Sequence, residues 1–179
     1  TWKVGEQIEV ETTVKHGVIG HEFAVDPEGA YAAVGSREGI VVVDLDSGEV
    51  NETTLLLKGD SSDHNMYNHF DVMFSPGGEF LLAYLGRTVQ VWERETWKPV
   101  VHGIEHDGDI NHVSFNPEGL GFLTCSDDGW VRIWDVQSGG ITHSPFKHEG
   151  PVSWADFDMD GRKVVSLSSY TDYQTRQAT

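Results

Sequence analysis

The chain has 179 residues, 38% hydrophobic and 11% aromatic, a composition that builds a sizeable core and excludes a disordered chain. Twelve basic residues against 29 acidic ones give a net charge of -17, so phosphate backbones and anionic lipid are repelled, and nucleic acid and membrane drop out as partners. One cysteine, Cys125, permits no internal disulfide and fits a reducing, cytoplasmic compartment.

In chain order, the sequence opens on TWKV and says nearly the same again as TWKPV at Thr96–Val100. An apolar stretch around Ile8–Val14 reads as a strand. Four further stretches then have one design, a short strand ending in a Pro/Gly or Asp/Gly turn: EFAVDPEG (22–29), DVMFSPGG (71–78), HVSFNPEG (112–119) and ADFDMDG (155–161). Val25, Phe74, Phe115 and Phe157 are their equivalent positions, spaced by 49, 41 and 42 residues. A second strand follows each turn: AYAAVGS, EFLLAYL, LGFLTCS and KVVSLSS. A third follows in three of them: GIVVVDL, TVQVWER and WVRIWDV. Polar turns at Ser47–Glu49, Thr96–Lys98 and Ser138–Gly140 lead to a weaker fourth strand. Alternation and short apolar runs prevail over helical periodicity. Each unit therefore predicts a four-stranded antiparallel sheet, and a period of about 40–45 residues is that of a propeller blade. The longest apolar runs, such as Phe80–Leu85, are too short to span a bilayer.

The third unit, HDGDINHVSFNPEGLGFLTCSDDGWVRIWDVQSGG, resembles a WD-repeat β-propeller blade almost end to end. It has a leading His106, the Ile110/Val113/Phe115 pattern, the SDDG turn at Ser126–Gly129 and Trp134-Asp135. The second unit keeps Trp92-Glu93 and the first has Val43-Asp44 without tryptophan. The fourth begins in register with KHEGPVSWADFDMDG and loses the pattern in SSYTDYQTRQAT. The expected fold is all-β, a β-propeller of about four four-stranded blades, with an arc of a larger seven- or eight-bladed ring favoured over self-closure or dimeric closure. Residues 1–15 are expected to be the fourth strand of a preceding blade. Residues 16–63, 64–105 and 106–147 are blades, and 148–179 is an incomplete blade whose degraded third strand is Gln174–Ala178. By position, Thr1–Lys3 is the turn of Thr96–Lys98 from a blade whose first strands are missing.

The resemblance gives His106, Thr124, Asp128 and Trp134 a structural role, a hydrogen-bonded chain from carboxylate through imidazole and hydroxyl to indole. A Ser/His/Asp-like set also invites a hydrolase reading, but His148 with Ser166, and His16 alone, keep only parts of it, and such decay suits scaffolding. Asp156–Gly161 spells the start of a calcium loop. Leu167 stands where the closing glutamate belongs, and the repeat overlay makes the segment an ordinary turn. The wide spacing before the second unit puts extra residues at 59–69. Asp63, His64 and His69 there have metal-ligand chemistry, against a solvated loop or, with Tyr67, a partner-binding loop. Cys125 reads as a packed, inert thiol. Trp154 is either an interface anchor or core, and Trp97 with Trp2 packs along a blade's rim. Asn51-Glu52-Thr53 matches a glycosylation acceptor, a pattern common by chance. No nucleophile elbow, phosphate loop, paired-cysteine motif or cofactor fingerprint occurs, so neither cofactor nor metal is expected.

The function expected on this analogy is a non-catalytic scaffold for a protein or peptide partner of basic or neutral character. Asp109, Asp127, Trp154 and the loop through Asp63, His64, Tyr67 and His69 form its face. The wording of the fourth unit resembles bacterial WD-repeat arrays, which implies a docking or sensing part of a larger signalling protein. The competing expectation is an enzyme, hydrolase or metal-dependent, working at a central channel lined by His21, Glu22, Asp71, His112 and Asp156.

Overall fold

A computed structural model of the chain describes residues 23–36, 39–55 and 70–169. Its strands fall into four antiparallel sheets in which sequence neighbours are sheet neighbours. The first sheet holds β1 (Phe23–Val25), β2 (Tyr31–Ser36), β3 (Gly39–Asp44) and β4 (Val50–Leu55). The second holds β5 (Phe70–Phe74), β6 (Phe80–Leu85), β7 (Thr88–Glu93) and β8 (Lys98–Glu105). The third holds β9 (Ile110–Phe115), β10 (Gly121–Ser126), β11 (Trp130–Asp135) and the two-residue β12 (Phe146–Lys147). The fourth holds β13 (Val152–Phe157) and β14 (Val164–Ser168). These are propeller blades. Among the described residues no helix is long and apolar enough to cross a membrane.

The four inner turns share one construction. The residue that opens each turn accepts from the glycine amide three residues on: Gly29 to Asp26, Gly78 to Ser75, Gly119 to Asn116 and Gly161 to Asp158, at 2.8–2.9 Å. Those glycines have φ between 66° and 78°, where a side chain would be strained. The opening side chain also caps the next strand, as Asp26 does for the Tyr31 amide, Asn116 for Gly121 and Asp158 for Arg162 and Lys163. The Lys163 and Arg162 amides hold the Asp158 carboxyl below its usual range. The calcium-like spelling is thus a strand turn, its central acid already bonded to backbone.

A lone twisted sheet cannot cover both its faces, so the sheets bury them on one another. Ala33, Ile40 and Val42 of the first meet Val72, Leu81, Ala83 and Trp92 of the second. Leu82, Tyr84 and Val91 meet Val113, Phe122 and Trp134 of the third. Leu123, Cys125 and Val131 meet Val152 and Ala155 of the fourth. Burying each large apolar side chain stabilises the fold by about 1.5–3 kcal/mol before conformational entropy is counted. A polar tie joins the first two sheets at the rim. Arg94 donates to Asp26 at 3.1 Å and to Glu28 at 3.0 Å, and lies over Tyr31. Tyr31 also receives Trp97 edge-on at 5.6 Å, so this tryptophan bridges two blades from the rim turn. The strand predicted at 8–14, the opening TWKV with Trp2, His16 and the stretch 174–178 lie outside the described residues.

Candidate functional site

The third blade carries a polar chain through its core. His106 stands in the loop before β9, Thr124 in β10, Asp128 in the turn to β11, and Trp134 on β11 opposite Phe122. Asp128 Oδ2 lies 3.0 Å from His106 Nδ1, Thr124 Oγ1 is 2.7 Å from His106 Nε2, and the Trp134 indole donates to that hydroxyl at 2.9 Å. A neutral imidazole protonated at Nδ1 satisfies every partner: Trp134 donates to Thr124, Thr124 to His106, and His106 to Asp128. The His106 and Asp128 side chains are 0% and 6% exposed, so the chain faces protein rather than substrate. Burial first, and then the Arg132 charge, pushes His106 down to about 4 against the pull of Asp128. Burial works to raise Asp128, but hydrogen bonds from Arg132, the Trp130 amide and His106 outweigh it and bring the carboxyl to about 2.

Two members of this cluster escape a reading of the sequence. Arg132 donates to Asp128 Oδ2 at 2.8 Å and abuts His106. Lys147, on β12, donates to the Asp128 carbonyl at 2.7 Å and stands 4.8 Å from the Trp130 ring centre. The signal for Arg132 is its place four residues after Asp128, but across a turn that spacing fixes no direction.

Beside this chain the loops at one end of the blades come together. The Asp127 amide donates to the Asp109 carbonyl at 2.9 Å, and the His148 amide to Gly129 at 2.8 Å. A Cβ on Gly108 would stand 2.6 Å from the Asp128 amide nitrogen, so the approach needs glycine. Asn111 donates to Asp127 Oδ1 at 2.7 Å and to the Val152 carbonyl at 2.9 Å, tying the third blade's turn to the fourth blade's inner strand. Two residues on, Trp154 is 40% exposed, with its ring 5.7 Å from His112. Asp109, Asp127 and Trp154 are therefore on one edge, with exposed Asp107 and Glu149 in the same loops. Asp63, His64, Tyr67 and His69 lie outside the described residues, as do His21 and Glu22.

The inner strands β9 and β13 lie side by side. Ser114 donates to Asp156 at 2.5 Å, and burial lowers the His112 pKa, offset in part by Asp156. Among the described residues no three His, Cys, Asp or Glu side chains are grouped to hold a metal ion. Cys125 is fully buried and its thiol is pushed up to about 12 by burial, which leaves no thiolate at neutral pH.

Comparison with known proteins bears on this arrangement directly. The profile of the WD domain, G-beta repeat, matches residues 97–135, from the outer strand β8 through β11. The Dictyostelium discoideum serine-threonine kinase receptor-associated protein is 29% identical over 53% of this chain and 32% of its own length. The Arabidopsis thaliana guanine nucleotide-binding protein subunit beta is 33% identical over 49% of the chain and 24% of its own. An uncharacterized WD repeat-containing protein of Synechocystis is 26% identical over 79% of the chain and 39% of its own. Residues 97–135 of the chain are a WD repeat. As a WD blade, the third sheet carries the carboxylate–imidazole–hydroxyl–indole chain in full. The fourth keeps an imidazole–hydroxyl pair, His148 Nε2 and Ser166 Oγ at 3.0 Å. The second turns from β6 to β7 through Gly86 and Arg87, too tightly to seat an acid. WD-repeat chains of this kind are typically protein-interaction scaffolds without catalysis.

Proposed function

We propose that this WD-repeat segment docks a protein or peptide of basic or neutral character at the edge carrying Asp109, Asp127 and Trp154, as the non-catalytic docking part of a larger cytoplasmic signalling protein. The observation that carries the reading is the Asn111 bridge, which sets an exposed indole beside a rim of carboxylates on rigid strands. An aromatic anchor ringed by charge is how interfaces concentrate affinity, and acid on the rim selects and steers a basic partner. The net charge of -17 acts the same way at longer range. In this reading the chain is one arc of a larger ring. The chemistry of the Asp128 site favours a structural part: His106 is buried, neutral and already bonded at both nitrogens.

The test is fluorescence anisotropy with a panel of labelled lysine- and arginine-rich, uncharged and acidic peptides. Trp154→Ala should weaken the bound peptides by about thirtyfold, the scale of a 2 kcal/mol anchor. Asp109→Ala with Asp127→Ala should weaken basic peptides alone and flatten their salt dependence. Equal binding by both variants, or a preference for acidic peptides, would sink the reading. A hydrolase activity lost in His112→Ala or Asp156→Ala would favour chemistry at the channel instead.

A further inference from the structure

The docking edge has a titratable ring beside its aromatic anchor. His112 of β9 and Trp154 of β13 belong to inner strands that lie side by side, and their rings stand 5.7 Å apart at 32°. The indole is 40% exposed, so a partner covering it meets a ring already in contact with an imidazole. His106 and His112 differ at their nitrogens. His106 is bonded at both. Among the described residues neither ring nitrogen of His112 has a hydrogen bond, and the side chain is half-buried. His112 can therefore take a proton from solvent without breaking a network.

Few charged groups surround it. From β13, Asp156 acts on the ring, itself fixed by the Ser114 hydroxyl at 2.5 Å and the Phe157 amide at 2.8 Å. From β10, Cys125 stands opposite in the ladder, with a thiol pushed up to about 12 and silent at neutral pH. The Asp127 charge, in the turn after β10, reaches Cys125, and Asp109 lies against that turn in the loop before β9. In the second blade's inner strand, β5, Asp71 holds the equivalent register opposite Tyr84. Burial is the larger influence and holds His112 below the ordinary histidine range, while Asp156 pulls it up. The ring is thus neutral at neutral pH and becomes a cation in acid. Neutral, it leaves the rim carboxylates free to attract a basic partner. As imidazolium it offsets one of those charges, repels an incoming lysine or arginine, and grips the indole by a cation–π contact.

We infer that His112 is a proton-operated release switch for the docking edge: its imidazolium, formed against Trp154 as the surroundings acidify, expels a basic partner. This inference rests on the docking proposed above and adds its regulation. The coupling is reciprocal, so a bound basic partner disfavours the imidazolium by the same factor. The probes are a rhodamine-labelled lysine- and arginine-rich peptide and an uncharged one, titrated with the full chain at pH 7.5 and pH 5.5 and read by anisotropy. The basic peptide should bind about fivefold more weakly at the lower pH, and the uncharged peptide equally at both. In His112→Gln the ratio of the two affinities for the basic peptide should fall to about one. Taking the ratio within each protein cancels any change in absolute affinity. Asp156→Asn, which keeps an acceptor for Ser114, should move the loss of binding to lower pH. His106→Gln should keep the wild-type ratio, which separates the switch from the acid response of the third blade's core. Equal affinity for the basic peptide at both pH values, an equal loss for the uncharged peptide, or a wild-type ratio in His112→Gln overturns the switch and leaves the docking reading standing. Failure of the basic peptide to bind at pH 7.5 removes the docking reading, and the switch with it.

Discussion

Replacing Asp128 with alanine is expected to cost about 3–5 kcal/mol of folding stability, the range for removing one partner of a buried ion pair. The carboxylate joins four groups. Its Oδ2 meets His106 at 3.0 Å and Arg132 at 2.8 Å, its Oδ1 takes the Trp130 amide at 3.0 Å, and the Asp107 amide lies 3.4 Å from Oδ2. Alanine leaves a guanidinium with 16% of its side chain exposed and a buried imidazole N–H, both without their acceptor. Domains hold about 5–15 kcal/mol in total, and each kcal/mol is about 2–4 °C in Tm at this chain length. A fall of roughly 6–20 °C is therefore expected in a thermal melt followed by tryptophan fluorescence. Asp128→Asn, which keeps the Trp130 bond and loses the charge, should fall in between. A loss below about 1 kcal/mol for the alanine variant would show that the cluster is held by its apolar neighbours.

The same cluster fixes the sign of the acid response. His106 titrates near 4 when folded and near 6.5 when free, so below pH 6.5 the unfolded chain binds the proton first. Its contribution is complete above about pH 6.5 and is lost as pH falls towards 4, at about 1.4 kcal/mol per pH unit and about 3 kcal/mol in all. Asp128 acts lower: its contribution is complete above the free value of 3.8 and is lost as pH falls to about 2. Urea midpoints should therefore decline from pH 7 to pH 4.5, and His106→Gln should flatten that decline. An unchanged slope in the variant would move the acid sensitivity elsewhere.

The strands were legible because two local signals agree at each one. Alternation marks the strand, and a Pro/Gly or Asp/Gly turn marks its end, so β2, β3, β6, β7, β10 and β11 begin and end within a residue of the sequence reading. The fourth strands were faint for a physical reason: an outer strand packs on one side only. They range from eight residues in β8 to two in β12. The polar chain of the third blade came from resemblance, since His106 and Asp128 are 22 residues apart and only the fold brings them within 3.0 Å. Asn111 reads as an ordinary polar residue at a strand start, and its bridge to Val152 depends on how two blades meet. The bulge between Cys125 and Ser126 also left no trace in composition. Trp154 was undecided between core and surface because its strand is inner, and its exposure follows from a position facing His112 rather than a sheet.

Trp134→Ala is expected to cost about 3–5 kcal/mol by a different route, and the difference can be measured. The indole is 8% exposed, stacked at 22° on Phe122, edge-on to His106 at 6.3 Å, and packed among Val101, Ile104 and Val136. Truncation removes that packing and opens a cavity between the second and third blades. Trp134→Phe keeps much of the ring but loses the donor to Thr124, and should cost about 1 kcal/mol more than the lost area explains. The two ends of the chain are coupled through His106 and Thr124. The double variant Asp128→Ala with Trp134→Ala should therefore lose less than the sum of the singles, by about 0.5–3 kcal/mol in urea unfolding. Additivity within about 0.3 kcal/mol would mean that carboxylate and indole stabilise the blade independently, and that the four residues are neighbours without being a network.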